Sequence, residues 1–118
     1  MIVLAWNMLL FRVGGEGLRL MRLTRGVIVD EDSENLYIYV MLPGFRKEDI
    51  EVYTNGRIVR IEAKVPEVLK KFVRSEKIVR RIPITSTVDV DKAKSRFENG
   101  LLMVTLPKKA KGKKIAVE

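Results

Sequence analysis

The stretch Asn35 to Pro43, NLYIYVMLP, alternates: Leu36, Ile38, Val40 and Leu42 fall on one side of an extended chain, Tyr37, Tyr39 and Met41 on the other. A helix would scatter those two sets around its circumference, whereas a strand with one buried face needs this pattern. Pro43-Gly44 closes the run. Ile50 to Tyr53 alternates again, then Asn55-Gly56 leads into Arg57 to Ala63. A second Asn-Gly pair, Asn99-Gly100, separates Phe97 from Leu101 to Leu106. Asn-Gly between alternating runs predicts tight hairpins in which both turn residues take positive φ. Phe72 to Ile84 is rich in β-branched residues and reads as one further strand. Short strands without an intervening helical pattern predict an all-β fold, an antiparallel β-sandwich.

The last run sharpens the problem of burial. Leu102, Val104 and Leu106 belong to the core, which leaves Leu101 and Met103 on the opposite face, exposed in a free monomer. Either the amino-terminal arm or another subunit must cover that face. The chain has 118 residues, 47% of them hydrophobic and 32% charged, enough for one domain with a real core.

Chemistry is restricted by what is missing. There is no cysteine and no histidine, which removes disulfides, thiolate nucleophiles, imidazole bases and nearly every zinc site. Gly14-Gly15-Glu16-Gly17 lacks the lysine of a phosphate loop, and the acids Asp30, Glu31, Asp32, Asp89 and Asp91 read as solvated strand and loop edges. No enzyme, cofactor or metal is expected. Glutamine is also absent while Lys, Arg and Glu abound, which leans toward a thermophile.

The two ends differ. Residues 1–25 begin MIVLAWNMLLF, too short to span a bilayer as a helix and without the basic start of a signal peptide. They read as an apolar arm, with Met21 as an alternative start, and the expected location is the cytoplasm. At the other end, residues 108–118 form a lysine-rich tether tipped by Ile115-Ala116-Val117, an apolar pair that a solvated tail does not need.

Three motifs carry a resemblance. The segment VDVDKAKSRFENGLLMVTLPKK, Val88 to Lys109, resembles the signature of the small heat-shock proteins, the α-crystallin family, with Asp89, Asp91, Phe97, Asn99, Gly100, Leu102, Val104, Leu106, Pro107 and Lys108 in register. LPGFRKEDIEV, Leu42 to Val52, is similar to the family's strand, turn and next strand. Ile115-Ala116-Val117 resembles its carboxy-terminal Ile-x-Ile/Val motif. The resemblance implies an immunoglobulin-like sandwich over residues 26–107, between the arm and the extension. It also implies an ATP-independent holdase that binds unfolding client proteins and assembles with itself from homodimers into a larger oligomer.

Residue roles follow from the same resemblance. Ile115 and Val117 would dock into a neighbouring subunit's groove formed by Ile50 and Val52 on one side and Ser95 and Phe97 on the other. The segment between Ala63 and Ile78 is shorter than the strand-swapping loop of archaeal, bacterial and plant members. Dimerisation is therefore expected along the edge carrying Phe72, Arg74, Ile78, Arg80 and Ile82, as in animal members. Trp6, Met8, Leu9, Leu10 and Phe11 are the candidates for client contact, since adaptable apolar side chains suit promiscuous surfaces.

Nucleic-acid binding is the rival. A formal charge of +8 and the tyrosines Tyr37, Tyr39 and Tyr53 could serve phosphate contact and base stacking. The basic residues are spread along the whole chain and the tyrosines form no recognisable RNA-binding motif, so neither nucleic acid nor membrane is expected as a partner. A monomeric co-chaperone on the same sandwich is the other alternative.

Overall fold

Alternation decides burial as expected. In the computed structural model Leu36, Ile38, Val40 and Leu42 are almost wholly buried, Tyr37 and Tyr39 half-buried, and Met41 exposed. The structure describes residues 26–109 and 115–118 in full, and the strand backbone alone of residues 3–5, 8–12 and 18–24.

The strands in chain order are β1 (Val3–Ala5), β2 (Met8–Arg12), β3 (Leu18–Thr24), β4 (Val27–Glu31), β5 (Asn35–Met41), β6 (Ile50–Thr54), β7 (Ile58–Lys64), β8 (Lys77–Pro83), β9 (Lys94–Glu98) and β10 (Leu101–Pro107). They form two antiparallel sheets, one ordered β1-β2-β3-β4-β5-β10-β9 and the other β6-β7-β8. The core lies between them. Leu36, Ile38, Val40, Leu102, Val104 and Leu106 come from the larger sheet, Val59, Ile61, Ala63 and Ile82 from the smaller. Each large aliphatic side chain buried there contributes roughly 1.5–3 kcal/mol of gross transfer free energy. Leu101 and Met103 are half-buried, opposite Met41 and Tyr39 of β5. In the arm segment, β3 pairs with β4 through Arg22↔Val29, Leu23↔Ile28 and Thr24↔Val27.

The two Asn-Gly turns differ from one another. Asn99 (φ 50°) and Gly100 (φ 77°) both take positive φ between the paired residues Glu98 and Leu101, the two-residue turn expected of the dipeptide. At Asn55-Gly56 only Gly56 is left-handed. There the Asn55 side-chain oxygen accepts from the main-chain N–H groups of Arg57 at 2.8 Å and Ile58 at 3.1 Å. That side-chain turn closes a wider loop and removes the need for Asn55 to invert.

The expected strand from Phe72 to Ile84 begins late, at Lys77. Residues 65–76 form a loop containing a 3-10 turn at Glu67–Leu69, and Leu69 O accepts from Phe72 N at 3.0 Å and Val73 N at 2.9 Å. Lys70 Nζ ties the loop to Glu67 at 2.8 Å and Glu76 at 3.3 Å. Local main-chain bonds thus use groups that a strand would have offered sideways. Phe72 is 80% exposed, and Phe72 and Arg74 lie outside the edge strand, whereas Ile78, Arg80 and Ile82 lie within it.

Candidate binding groove and pairing edge

Two sheet edges approach each other on one side of the sandwich: β6, the outer strand of the small sheet, and β9, the outer strand of the large one. Between them runs an open groove of about 450 Å³. Ile50 and Val52 of β6 and Ser95 and Phe97 of β9 line it, with buried Leu102 of β10 also in its lining. The sequence-predicted quartet is therefore brought together. Its walls are formed by β6 residues on alternate positions, half-buried, while Glu51 and Tyr53 between them are exposed. Lys47, Arg96 and Glu98 give the groove a polar rim, with Arg96 donating to Glu98 across two positions of β9.

The residues expected to fill such a groove are free of it in this chain. Ile115 is 82% exposed and Val117 98%. The tether between them and the sandwich falls on residues 110–114, outside the described residues. Its root is firmly held. Lys108 N donates to Glu34 O at 2.8 Å, Lys109 N donates to Thr87 O at 3.0 Å, and Lys108 Nζ lies 3.2 Å from a Glu31 carboxylate oxygen. This anchorage was not foreseen, since a run of lysines reads as solvated until a partner distant in sequence is placed beside it.

The opposite edge of the small sheet is β8, where Ile78 and Arg80 are half-buried and Ile82 is buried. Among the client-contact candidates, Trp6 lies outside the described residues. Met8, Leu9, Leu10 and Phe11 fall in β2, where only the strand placement is described.

The Tyr37 hydroxyl donates to an Asp32 carboxylate oxygen at 2.9 Å, and that bond, with some burial, raises its pKa above the ordinary tyrosine value. Tyr53 is raised in the same direction by its bond to Glu51. No helix among the described residues is long and apolar enough to cross a membrane.

Known proteins resemble this chain in sequence and fold. The family described as "Hsp20/alpha crystallin family" matches residues 28–118. The chain is 32% identical over 96 residues to the 18 kDa heat shock protein of Clostridium acetobutylicum, covering 74% of this chain and 64% of that protein. It is 31% identical over 109 residues to Heat shock protein 16 of Schizosaccharomyces pombe, covering 81% and 76%. The match thus spans just under two thirds of the length of the Clostridium relative. Among solved structures, Heat shock protein 16.0 from Schizosaccharomyces pombe superposes with a TM-score of 0.62 at 29% identity, over 82% of this chain and 100% of that one. A small heat-shock protein from Xylella fastidiosa, at 21% identity and a TM-score of 0.64 over 78% of this chain and 92% of that one, shares the fold. The family match and these relatives support a chaperone role for this sandwich, and the chain belongs to the Hsp20/α-crystallin family of small heat-shock proteins.

Proposed function

We propose that this protein is an ATP-independent holdase of the cytoplasm that binds unfolding proteins and keeps them from aggregating, working as a dynamic oligomer of itself. The observation that supports it most is a mismatch within one chain: a groove carrying Ile50, Val52, Phe97 and Leu102 stands open between two strand edges while Ile115 and Val117 stand in solvent. A second copy's tail satisfies both. Two apolar residues two apart point the same way in an extended segment, like two knobs for one groove. Burying them is worth roughly 3–6 kcal/mol gross, and ordering the tail costs about 1–2 kcal/mol per residue. One docked tail is therefore weak and exchangeable, and many on one assembly hold through effective concentration.

Reversible assembly answers the physical requirement of a holdase. Unfolding clients expose apolar surface and unpaired strand edges, and the chaperone must offer competing apolar surface without leaving it exposed when idle. The arm carrying Trp6, Met8, Leu9, Leu10 and Phe11 is the segment assigned to clients, and β8 with Ile78, Arg80 and Ile82 is the edge assigned to dimerisation.

The test is suppression of turbidity of a heat-denatured client at near-stoichiometric chaperone without nucleotide, with native mass followed by light scattering. Suppression with a growing chaperone–client mass is expected. A requirement for ATP, or no suppression at all, overturns the reading.

A further inference from the structure

β8 is an outer strand, so half of its main-chain groups have no neighbouring strand. The ladder says which half. Val65 N donates to Glu76 O at 2.9 Å and Ile84 N donates to Arg57 O at 2.8 Å, in register with Val59↔Ile82 and Ala63↔Ile78. Even-numbered residues therefore bond to β7, and the N–H and C=O groups of Lys77, Val79 and Arg81 point away from the sheet. Two of those carbonyls are met by side chains of the same chain. Ser75 Oγ donates to Lys77 O at 2.7 Å, and Arg80 Nη1 donates to Val79 O at 3.2 Å. Pro83, the last residue of the strand, brings no donor at all. The edge is shielded in the single chain, as natural sheet edges are.

A second copy laid antiparallel on this edge must place outward residues opposite outward residues, so it can shift only in steps that keep parity. The sequence then separates the central registers. With Arg80 or Arg81 on the twofold axis, an arginine meets its own copy, and Pro83 occupies a position where a donor is needed. With Val79 on the axis, Lys77 stands opposite Arg81 and Ile78 opposite Arg80. With Ile78 on the axis, isoleucine meets isoleucine, Glu76 stands opposite Arg80, Lys77 opposite Val79, and Ser75 opposite Arg81. Every hydrogen-bonding position from Ser75 to Arg81 then has its donor. Opposite charges facing each other stabilise a strand pair and like charges oppose it.

We infer that two copies pair antiparallel along β8 with Ile78 on the twofold axis and Glu76 of each copy opposite Arg80 of the other. This rests on the dimer edge assigned above and specifies its register. Arg80 changes partner on pairing: its guanidinium leaves Val79 O, which then accepts from Lys77 N–H of the second copy, and moves to the Glu76 carboxylate. The Glu76 carboxylate is available for this, since it is 83% exposed and held only by Lys70 at 3.3 Å among the described residues.

The absence of cysteine from the chain makes the register directly readable. Ile78→Cys places two thiols at a non-hydrogen-bonded pair whose Cα atoms are about 4.5 Å apart, inside the disulfide range of about 4.4–6.8 Å. Arg80→Cys places its thiols four residues apart along the strands, about 13 Å, beyond that range. Under mild oxidation of the full chain, Ile78→Cys should give a cross-linked dimer on a denaturing gel and Arg80→Cys should not. Cross-linking of Arg80→Cys or Arg81→Cys in preference overturns the register, and no cross-link from any β8 position overturns the edge itself. Charge reversal gives a reading that needs no cysteine. Arg80→Glu and Glu76→Arg should each weaken dimerisation about tenfold or more by sedimentation, and the double exchange should restore it. Failure of the double exchange to restore it overturns the ion pair. Suppression of client aggregation by the unaltered chain is scored separately, so a lost register and a lost holdase activity cannot be confused.

Discussion

The ammonium of Lys108 donates to the main-chain oxygen of Asp32 at 2.6 Å, joining positions 76 residues apart. The Lys108 side chain is only 10% exposed, and a Glu31 carboxylate oxygen lies 3.2 Å away. Ser86 Oγ donates to the same Glu31 oxygen at 3.0 Å, so three segments meet where the tether leaves the sandwich. Lys108 and Lys109, the last described residues before the tail, are thus held to the sandwich.

Lys108→Met should release that root. The loss of a charge-assisted hydrogen bond to a buried ammonium predicts a stability decrease of about 1–3 kcal/mol, read from the midpoint of guanidinium chloride unfolding. Faster amide exchange at Lys109 should accompany it. An unchanged midpoint with unchanged exchange would mean that the clamp contributes nothing.

Gly100→Ala should be more costly than Gly56→Ala. Both glycines hold positive φ, 77° and 88°. A Cβ at Gly100 would sit 3.1 Å from the Cα of Pro43, main chain that cannot swing aside, whereas at Gly56 the nearest atom is a Val90 methyl at 3.4 Å. The expected losses are about 2–3 kcal/mol at Gly100 and about 1 kcal/mol at Gly56. Equal losses in chemical denaturation would contradict the steric argument.

Ile115→Ser combined with Val117→Ser should leave the sandwich folded, because both side chains stand in solvent in the single chain. Native mass by light scattering should fall to a dimer or small oligomer. Val52→Asp, which puts a charge into the groove wall, should do the same, and adding it to the tail variant should lower the mass no further. A groove variant that assembles normally would separate the groove from the tail.

Alkaline titration should find two late tyrosines. The bonds from Tyr37 to Asp32 and from Tyr53 to Glu51 favour the protonated phenols, so both ionise above the ordinary value of about 10. A group whose pKa is raised on folding stabilises the fold below its unfolded pKa and loses that contribution as pH rises through the folded one. Stability should therefore decline from about pH 10 upward, less steeply in Tyr37→Phe. Absorbance near 295 nm reads the ionisation directly, and ordinary titration of all three tyrosines would refute the assignment.

Alternation and turn chemistry determined a great deal without any tertiary information. Leu36, Ile38, Val40, Leu102, Val104 and Leu106 face the core because a strand has a period of two, and Asn99-Gly100 turns tightly because no bulkier pair tolerates both positive φ values. These are local properties, carried by each residue and its immediate neighbours. The tertiary structure decided what depends on partners far away in sequence. It placed Ile50 and Val52 beside Ser95 and Phe97, and it drew Lys108 out of the apparent tether onto Asp32. It stopped β8 at Lys77, where local hydrogen bonds around Leu69 compete with pairing that β-branched residues alone would favour. It also chose a side-chain turn at Asn55 over the inverted backbone of Asn99. The same dipeptide serves two loops because the register of the flanking strands sets how many residues must span the gap, and register is a property of the pair of strands.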